Sequence, residues 1–171
     1  MNNDDETIEI YFYPLYNKIL FYWFPPTESY NICPQWVISE PEITNHTIAF
    51  VIEHDRHPLL LIDIKPPSDF KFQSGRNIAL NEVLQCLEEM GPKNHHADRL
   101  YATSAIGKRW TRRACYALKG KGSGGCHAVK GVAEVNSLIS PKPECWNTDI
   151  TSDDSWTALQ SIVEKAKSYV A

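Results

Sequence analysis

Six residues, Leu59-Leu60-Leu61-Ile62-Asp63-Ile64, constrain this chain more than any others. Five of the six are large aliphatics, and the run is bracketed by Pro58 and by Pro66-Pro67. A short apolar run between such breakers reads as a strand covered on both faces. Proline has no amide hydrogen to give to a sheet ladder, so Pro58 and the Pro66-Pro67 pair are expected to mark its ends. Side chains alternate along a strand, which sets Asp63 and Lys65 side by side on one face at its exit. Charge in such a place is costly unless it is paired or bound to a metal. Two readings follow. One is a structural ion pair at a strand end; the other is a metal-binding carboxylate beside a catalytic lysine.

The surrounding chain supplies the rest of a sheet. Thr7–Phe24 is apolar and aromatic and reads as a helix, with Pro14 forcing a break or a fresh first turn. Asn31–Ser39 and Thr47–Glu53 read as strands. The second forms a hairpin with Leu59–Lys65 through His54-Asp55-Arg56-His57. Ser74, as N-cap, opens a helix in which Ala79, Val83, Cys86, Leu87 and Met90 recur at helical spacing. Gly91-Pro92 stops that helix. Arg99–Ile106 reads as a fourth strand and Trp110–Leu118 as a fifth, after the Gly107-Lys108 turn. Val129–Leu138 is a candidate last strand and Ser140–Ile150 a covering loop. Asp153 or Asp154 is expected to cap a final helix buried on Trp156, Leu159, Val163 and Ala166. The fold class is α/β (α+β), a central mixed sheet flanked by helices in the order α-β-β-β-α-β-β-(β)-α.

A chain of 171 residues is the size of one domain, and 43% hydrophobic with 22% charged residues is a globular composition. No apolar run approaches membrane-spanning length. The acidic start, Met1 to Glu6, lacks the basic and apolar regions of a secretory signal. Five scattered cysteines without a Cys-x-x-Cys pair argue against a disulfide framework. An intracellular, cytoplasmic or nuclear protein is the expectation. The net charge of −4 conceals an acid-free segment, Arg99 to Ala133, carrying Lys108, Arg109, Arg112, Arg113, Lys119 and Lys121 among its basic residues. Such a segment is either a solvated face or an anion site. Arginines beside Trp110 and Tyr116 point towards nucleic acid, whose phosphates they pair and whose bases they stack on.

Several short pieces, in this order, carry a resemblance. They are Glu9 ahead of Tyr13-Pro14-Leu15-Tyr16-Asn17, Pro34-Gln35-Trp36, Asp63-Ile64-Lys65-Pro66-Pro67, and Ser74-Gly75-Arg76. Tyr101-Ala102-Thr103-Ser104-Ala105-Ile106-Gly107 and Cys145-Trp146-Asn147 follow. With the element order, they make the chain resemble the PD-(D/E)XK nuclease superfamily, and within it a group of fungal restriction-endonuclease-like proteins. The resemblance runs over most of the chain and implies a restriction-endonuclease-like core. It implies a Mg²⁺ or Mn²⁺ site in which Asp63, the Ile64 carbonyl and Glu9 bind metal and Lys65 positions water. Glu82 joins the catalytic set, and Arg76 lies on the same helix among the nucleic-acid contacts.

One position departs from the pattern. The superfamily carries an acid on the second strand, and the residue matched to it is Asn45, a poorer ligand for hard cations than a carboxylate. Glu53 shares its face but belongs to the hairpin tip. Two functions therefore stay open. One is a metal-dependent nuclease acting on DNA or RNA. The other is a nuclease-derived module that binds nucleic acid or a protein partner without cutting. A homodimer is left open, and no membrane partner is expected.

Overall fold

The computed structural model describes residues 7–38, 46–90, 99–111, 115–118 and 143–168. Strands β1 (Tyr30–Ile38), β2 (His46–His54) and β3 (His57–Lys65) form an antiparallel meander. The β2–β3 turn is two residues long, and both Asp55 and Arg56 have positive φ, 49° and 67°. That double left-handed step matches the right-handed twist of the strands it joins. The chain then passes through a 3₁₀ turn (Pro67–Lys71) and helix α2 (Gln73–Met90) to β4 (Arg99–Ile106). β4 lies parallel to β3, with Leu60 opposite Tyr101 and Lys65 opposite Ile106. A parallel partner requires a crossover, and α2 supplies it.

The apolar run is thus a central strand, flanked by β2 and β4, and Leu59 to Ile64 are all buried. Its two faces meet different helices. Helices α1 (Tyr13–Trp23) and α3 (Asp153–Lys167) cover one, where Tyr16, Leu20, Leu159 and Val163 pack with Phe50, Ile62 and Ile64. On the other, Val83, Cys86 and Leu87 of α2 pack with Val51, Leu61 and Leu100. The protein is an α+β fold with a mixed sheet between helical layers. Among the described residues, no helix is long and apolar enough to cross a membrane.

Several local expectations are corrected. Pro58 lies inside β3 rather than at its end, opposite Glu53 where the ladder bulges; a bulge tolerates a residue that cannot donate. Helix α2 starts at Gln73, so Ser74 is already within it. The fifth strand is split into β5 (Arg109–Trp110) and β6 (Cys115–Leu118), both antiparallel to β4. Ala105 faces Trp110, yet Ala102, three residues back, faces Cys115, five residues on, so the ladder slips between them. The 140–150 stretch is no mere cover. It contributes a 3₁₀ turn (Pro143–Trp146), with Trp146 buried against α2, and β7 (Thr148–Asp149), paired with β5. Helix α3 is capped by Ser152, whose hydroxyl accepts from the Ser155 amide, not by Asp153 or Asp154. Those acids sit in its first turn, where the helix dipole favours them. Trp156 is 37% exposed and packs on Trp23 and Tyr22 rather than in the core. Val129–Leu138 lies outside the described residues.

Candidate active site

The end of β3 is held in place from two sides. Gly107 closes the turn after β4 with φ +60°, its amide donates to the Lys65 carbonyl (2.8 Å), and its carbonyl accepts from the buried Tyr16 hydroxyl (3.0 Å). The backbone carrying Asp63 and Lys65 is therefore pinned to β4 and, through Tyr16, to α1.

At that pinned end, Asp63 is 1% exposed, and among the described residues its carboxylate oxygens have no well-formed hydrogen bond, only a long ion-pair contact from Lys65. A buried carboxylate without a close donor is rare and calls for an explanation. Its nearest cation is Lys65, with Nζ 3.4 Å from Oδ2. The same ammonium reaches Glu82 of α2 at 2.5 Å. Burial pushes the Asp63 carboxyl up to about 7; Lys65 pulls the other way, while Glu82 and Glu9 add to the rise. Burial works against the charge on Lys65, but Asp63, Glu82 and Glu9 outweigh it and hold its pKa above the usual lysine value. Lys65 is a fixed cation, not a proton acceptor.

Glu9 approaches from a 3₁₀ turn, Glu9–Phe12, that leads into α1. Asp69, on the 3₁₀ turn after β3, completes the group. Burial raises its pKa, Lys65 opposes the rise and Glu82 adds to it. Four carboxyl groups (Glu9, Asp63, Asp69 and Glu82) thus act electrostatically on one ammonium. Such a balance repels a phosphodiester unless a cation joins it. Among the described residues, however, no three His, Cys, Asp or Glu side chains stand close enough together to hold one metal ion.

Of the residues expected from the sequence, Asp63 and Glu82 meet at Lys65, and Glu9 acts on Asp63 and Lys65 electrostatically. Ile64 lies between Asp63 and Lys65 with its side chain buried in the opposite layer. Asn45, Arg112, Arg113, Lys119 and Lys121 lie outside the described residues. Arg76 serves as a brace: its guanidinium donates to the Phe70 carbonyl (2.7 Å). Arg109 lies over the Phe70 ring, 4.8 Å from its centre, and is exposed, as is Lys108 in the neighbouring turn. Glu53, at the bulge near the hairpin tip, accepts from the Cys33 thiol at 3.7 Å and takes no part in the cluster.

Sequence reasoning missed Asp69 and Tyr13, whose hydroxyl donates to Glu9 Oε1 at 3.1 Å. Asp69 carried one signal, its place just beyond Pro66-Pro67 in a turn leaving the strand. Tyr13 carried another, four residues after Glu9, the spacing at which side chains on one helical face meet. Comparison of the chain with protein-family models, curated proteins and solved structures finds no match.

Proposed function

We propose that this protein is a metal-dependent nuclease with a restriction-endonuclease-like core, hydrolysing phosphodiester bonds in DNA or RNA. One observation carries the reading: the buried Asp63 carboxylate, with no close hydrogen-bond donor among the described residues, stands 3.4 Å from the ammonium of a fixed lysine at the end of a central strand. The element order supports it. A helix, three strands, a helix and a further strand occur in the sequence that the resemblance implies, with Asp63-Ile64-Lys65 ending the third strand.

The donors are all oxygens, the type a hard cation prefers, although the described carboxylates do not form a three-ligand group. Asp63, Glu9 and the Ile64 carbonyl are the oxygens that would hold Mg²⁺ or Mn²⁺, with Glu82 nearby. When bound, the ion supplies an acidified water and charge neutralisation at phosphate. Lys65, held protonated, orients the attacking water and stabilises negative charge that grows on the phosphoryl oxygens. Glu82 keeps the ammonium in place. Lys108 and Arg109, exposed beside the strand end, are the described cations best sited to meet the nucleic-acid backbone.

A second reading, a nuclease-derived module that binds nucleic acid or a protein partner without cutting, draws on Asn45 at the acid position and on the spacing of the described carboxylates. One experiment addresses both. The protein is incubated with single- and double-stranded DNA and RNA in Mg²⁺, Mn²⁺ or EDTA. Cleavage that needs metal and disappears in Asp63→Ala supports the nuclease, and Asn45→Asp should increase it. Lys65→Ala should lower the rate about 10²–10³-fold while metal still binds. Nucleic acid bound but uncut by wild type and Asn45→Asp alike selects the binding module. Equal cutting by wild type and Asp63→Ala rules out this site.

A further inference from the structure

Phe72 is 63% exposed, the most exposed phenylalanine among the described residues. A lone exposed apolar side chain is ordinary on a protein surface. This one stands on firmly held backbone. It is the extended link (φ −109°, ψ 141°) between the Pro67–Lys71 turn and α2. Its carbonyl accepts from the Arg76 amide at 3.2 Å, and the Arg76 guanidinium donates to the Phe70 carbonyl. Gly75 lies so close to Asp69 that a Cβ there would clash with the backbone of the turn. The ring is therefore offered to solvent from a clamped turn, and little backbone freedom is lost when a partner packs on it.

Basic groups frame the ring. Lys71 precedes it and is exposed. Arg109, from the β4–β5 turn, lies over the Phe70 ring, with exposed Lys108 beside it. The acids nearest to these in chain or ladder already act on cations of the fold. Asp69 does so with Lys65, and Asp149, opposite Arg109 in the ladder, with Lys108 and Arg109. An apolar ring flanked by cations complements a nucleobase and its flanking phosphates. Bases stack on aromatic faces, and phosphates take up ammonium and guanidinium groups.

We infer that Phe72 is a stacking platform for an unpaired base, and that the nucleic acid taken on this face is single-stranded. The inference rests on the nucleic-acid partner of the proposed function and involves no metal ion. Bases inside a duplex are already stacked on their neighbours. They reach a protein ring only by being extruded, at a cost in free energy, whereas the bases of a single strand are available.

The test is fluorescence anisotropy in EDTA at low salt, with labelled single-stranded DNA, single-stranded RNA and duplex DNA of one length. Wild type is compared with Phe72→Ala, Phe72→Leu, Phe72→Trp and Arg109→Ala. Phe72→Ala should bind single strands about tenfold more weakly, with duplex affinity and urea midpoint unchanged. Phe72→Leu, which keeps apolar bulk without a π face, should lose as much, and Phe72→Trp should bind at least as well as wild type. Phe72→Ala should keep the wild-type salt dependence, because stacking releases no counterions, whereas Arg109→Ala should flatten it. A loss confined to DNA or to RNA supports the inference for that strand. Single-strand affinity equal to wild type in Phe72→Ala, or preserved in Phe72→Leu, would overturn the inference and leave the nucleic-acid reading standing. So would an equal loss on duplex DNA. Wild type that binds none of the three would overturn the nucleic-acid reading itself, and this inference with it.

Discussion

Lys65 Nζ stands 2.5 Å from Glu82 Oε2, joining the last residue of β3 to the body of α2 across the sheet face. The ammonium also neutralises Asp63, which is more deeply buried than either. Replacing Lys65 by Met removes the cation and leaves two carboxylates facing each other. Breaking a buried pair costs about 3–5 kcal/mol. Lys65 and Glu82 retain some contact with water, so a loss of about 1–3 kcal/mol is expected at pH 8. At pH 5, Asp63 is protonated and the loss should shrink. Urea unfolding of Lys65→Met at the two pH values, in EDTA, measures both.

The raised pKa of Asp63 has its own stability signature. Its folded value is about 7 against an ordinary 3.8, so between about pH 4 and pH 7 the folded state binds more protons than the unfolded one. Stability should therefore fall as pH rises through that window, by at most about 1.4 kcal/mol per pH unit for one proton. Lys65 does not offset this. Its raised pKa gives stability that is fully present below 10.5 and fades only above it. Asp63→Asn should flatten the profile between pH 4 and pH 7 in metal-free buffer. A profile unchanged by that substitution would assign the slope to other groups.

Gly75 is a packing requirement rather than a turn. A Cβ built there would lie 2.5 Å from the Asp69 carbonyl oxygen and 2.7 Å from its Cα. Alanine favours a helix interior over glycine by about 1 kcal/mol. The clash with backbone should outweigh that gain, so Gly75→Ala is expected to destabilise the fold by about 1–3 kcal/mol. A more stable Gly75→Ala protein would show that the Pro67–Lys71 turn can move away from α2.

Arg56 holds a left-handed conformation that L side chains adopt at a cost of about 1–2 kcal/mol. Asp-Gly is a preferred pair for this turn, so Arg56→Gly should raise stability by about 0.5–1 kcal/mol once glycine's greater freedom in the unfolded chain is counted. Thermal unfolding would detect this, and a loss of stability would mean that Arg56 makes contacts that outweigh its strain.

The parts of the fold legible in the sequence are those written in long patterns. Leu59–Ile64, the apolar run Ile48–Ile52 and the helical repeat from Ala79 to Leu87 all predict the elements observed. β7 has two residues and no pattern of its own; it exists because β5 offers an unpaired edge beside it. The cap of α3 was misread because Ser152, Asp153 and Asp154 all suit an N-cap, and only backbone geometry distinguishes them. In the site, Asp63 and Lys65 were legible from their position at the exit of an apolar run. Their meeting with Glu82 depended on the resemblance, since nothing local ties residue 65 to residue 82. Tyr13 and Asp69 went unseen because each looks like an ordinary turn or helix-start residue until the sheet brings Lys65 near.

The parallel pairing of β3 with β4 also sets the order in which these groups can come together. The β2–β3 hairpin closes a two-residue loop, an event of microseconds. The β4 register and the Gly107–Lys65 hydrogen bond join segments separated by the whole crossover, a slow closure of high contact order. Asp63 and Lys65 are therefore neighbours early, on a strand whose second edge is still bare. Their carboxylate partner on α2 and their clamp from the far turn arrive only with the final topology. A chain halted before the crossover has the Asp-x-Lys pair but neither the Glu82 contact nor the Gly107 clamp, so this charge cluster is completed only with the final topology.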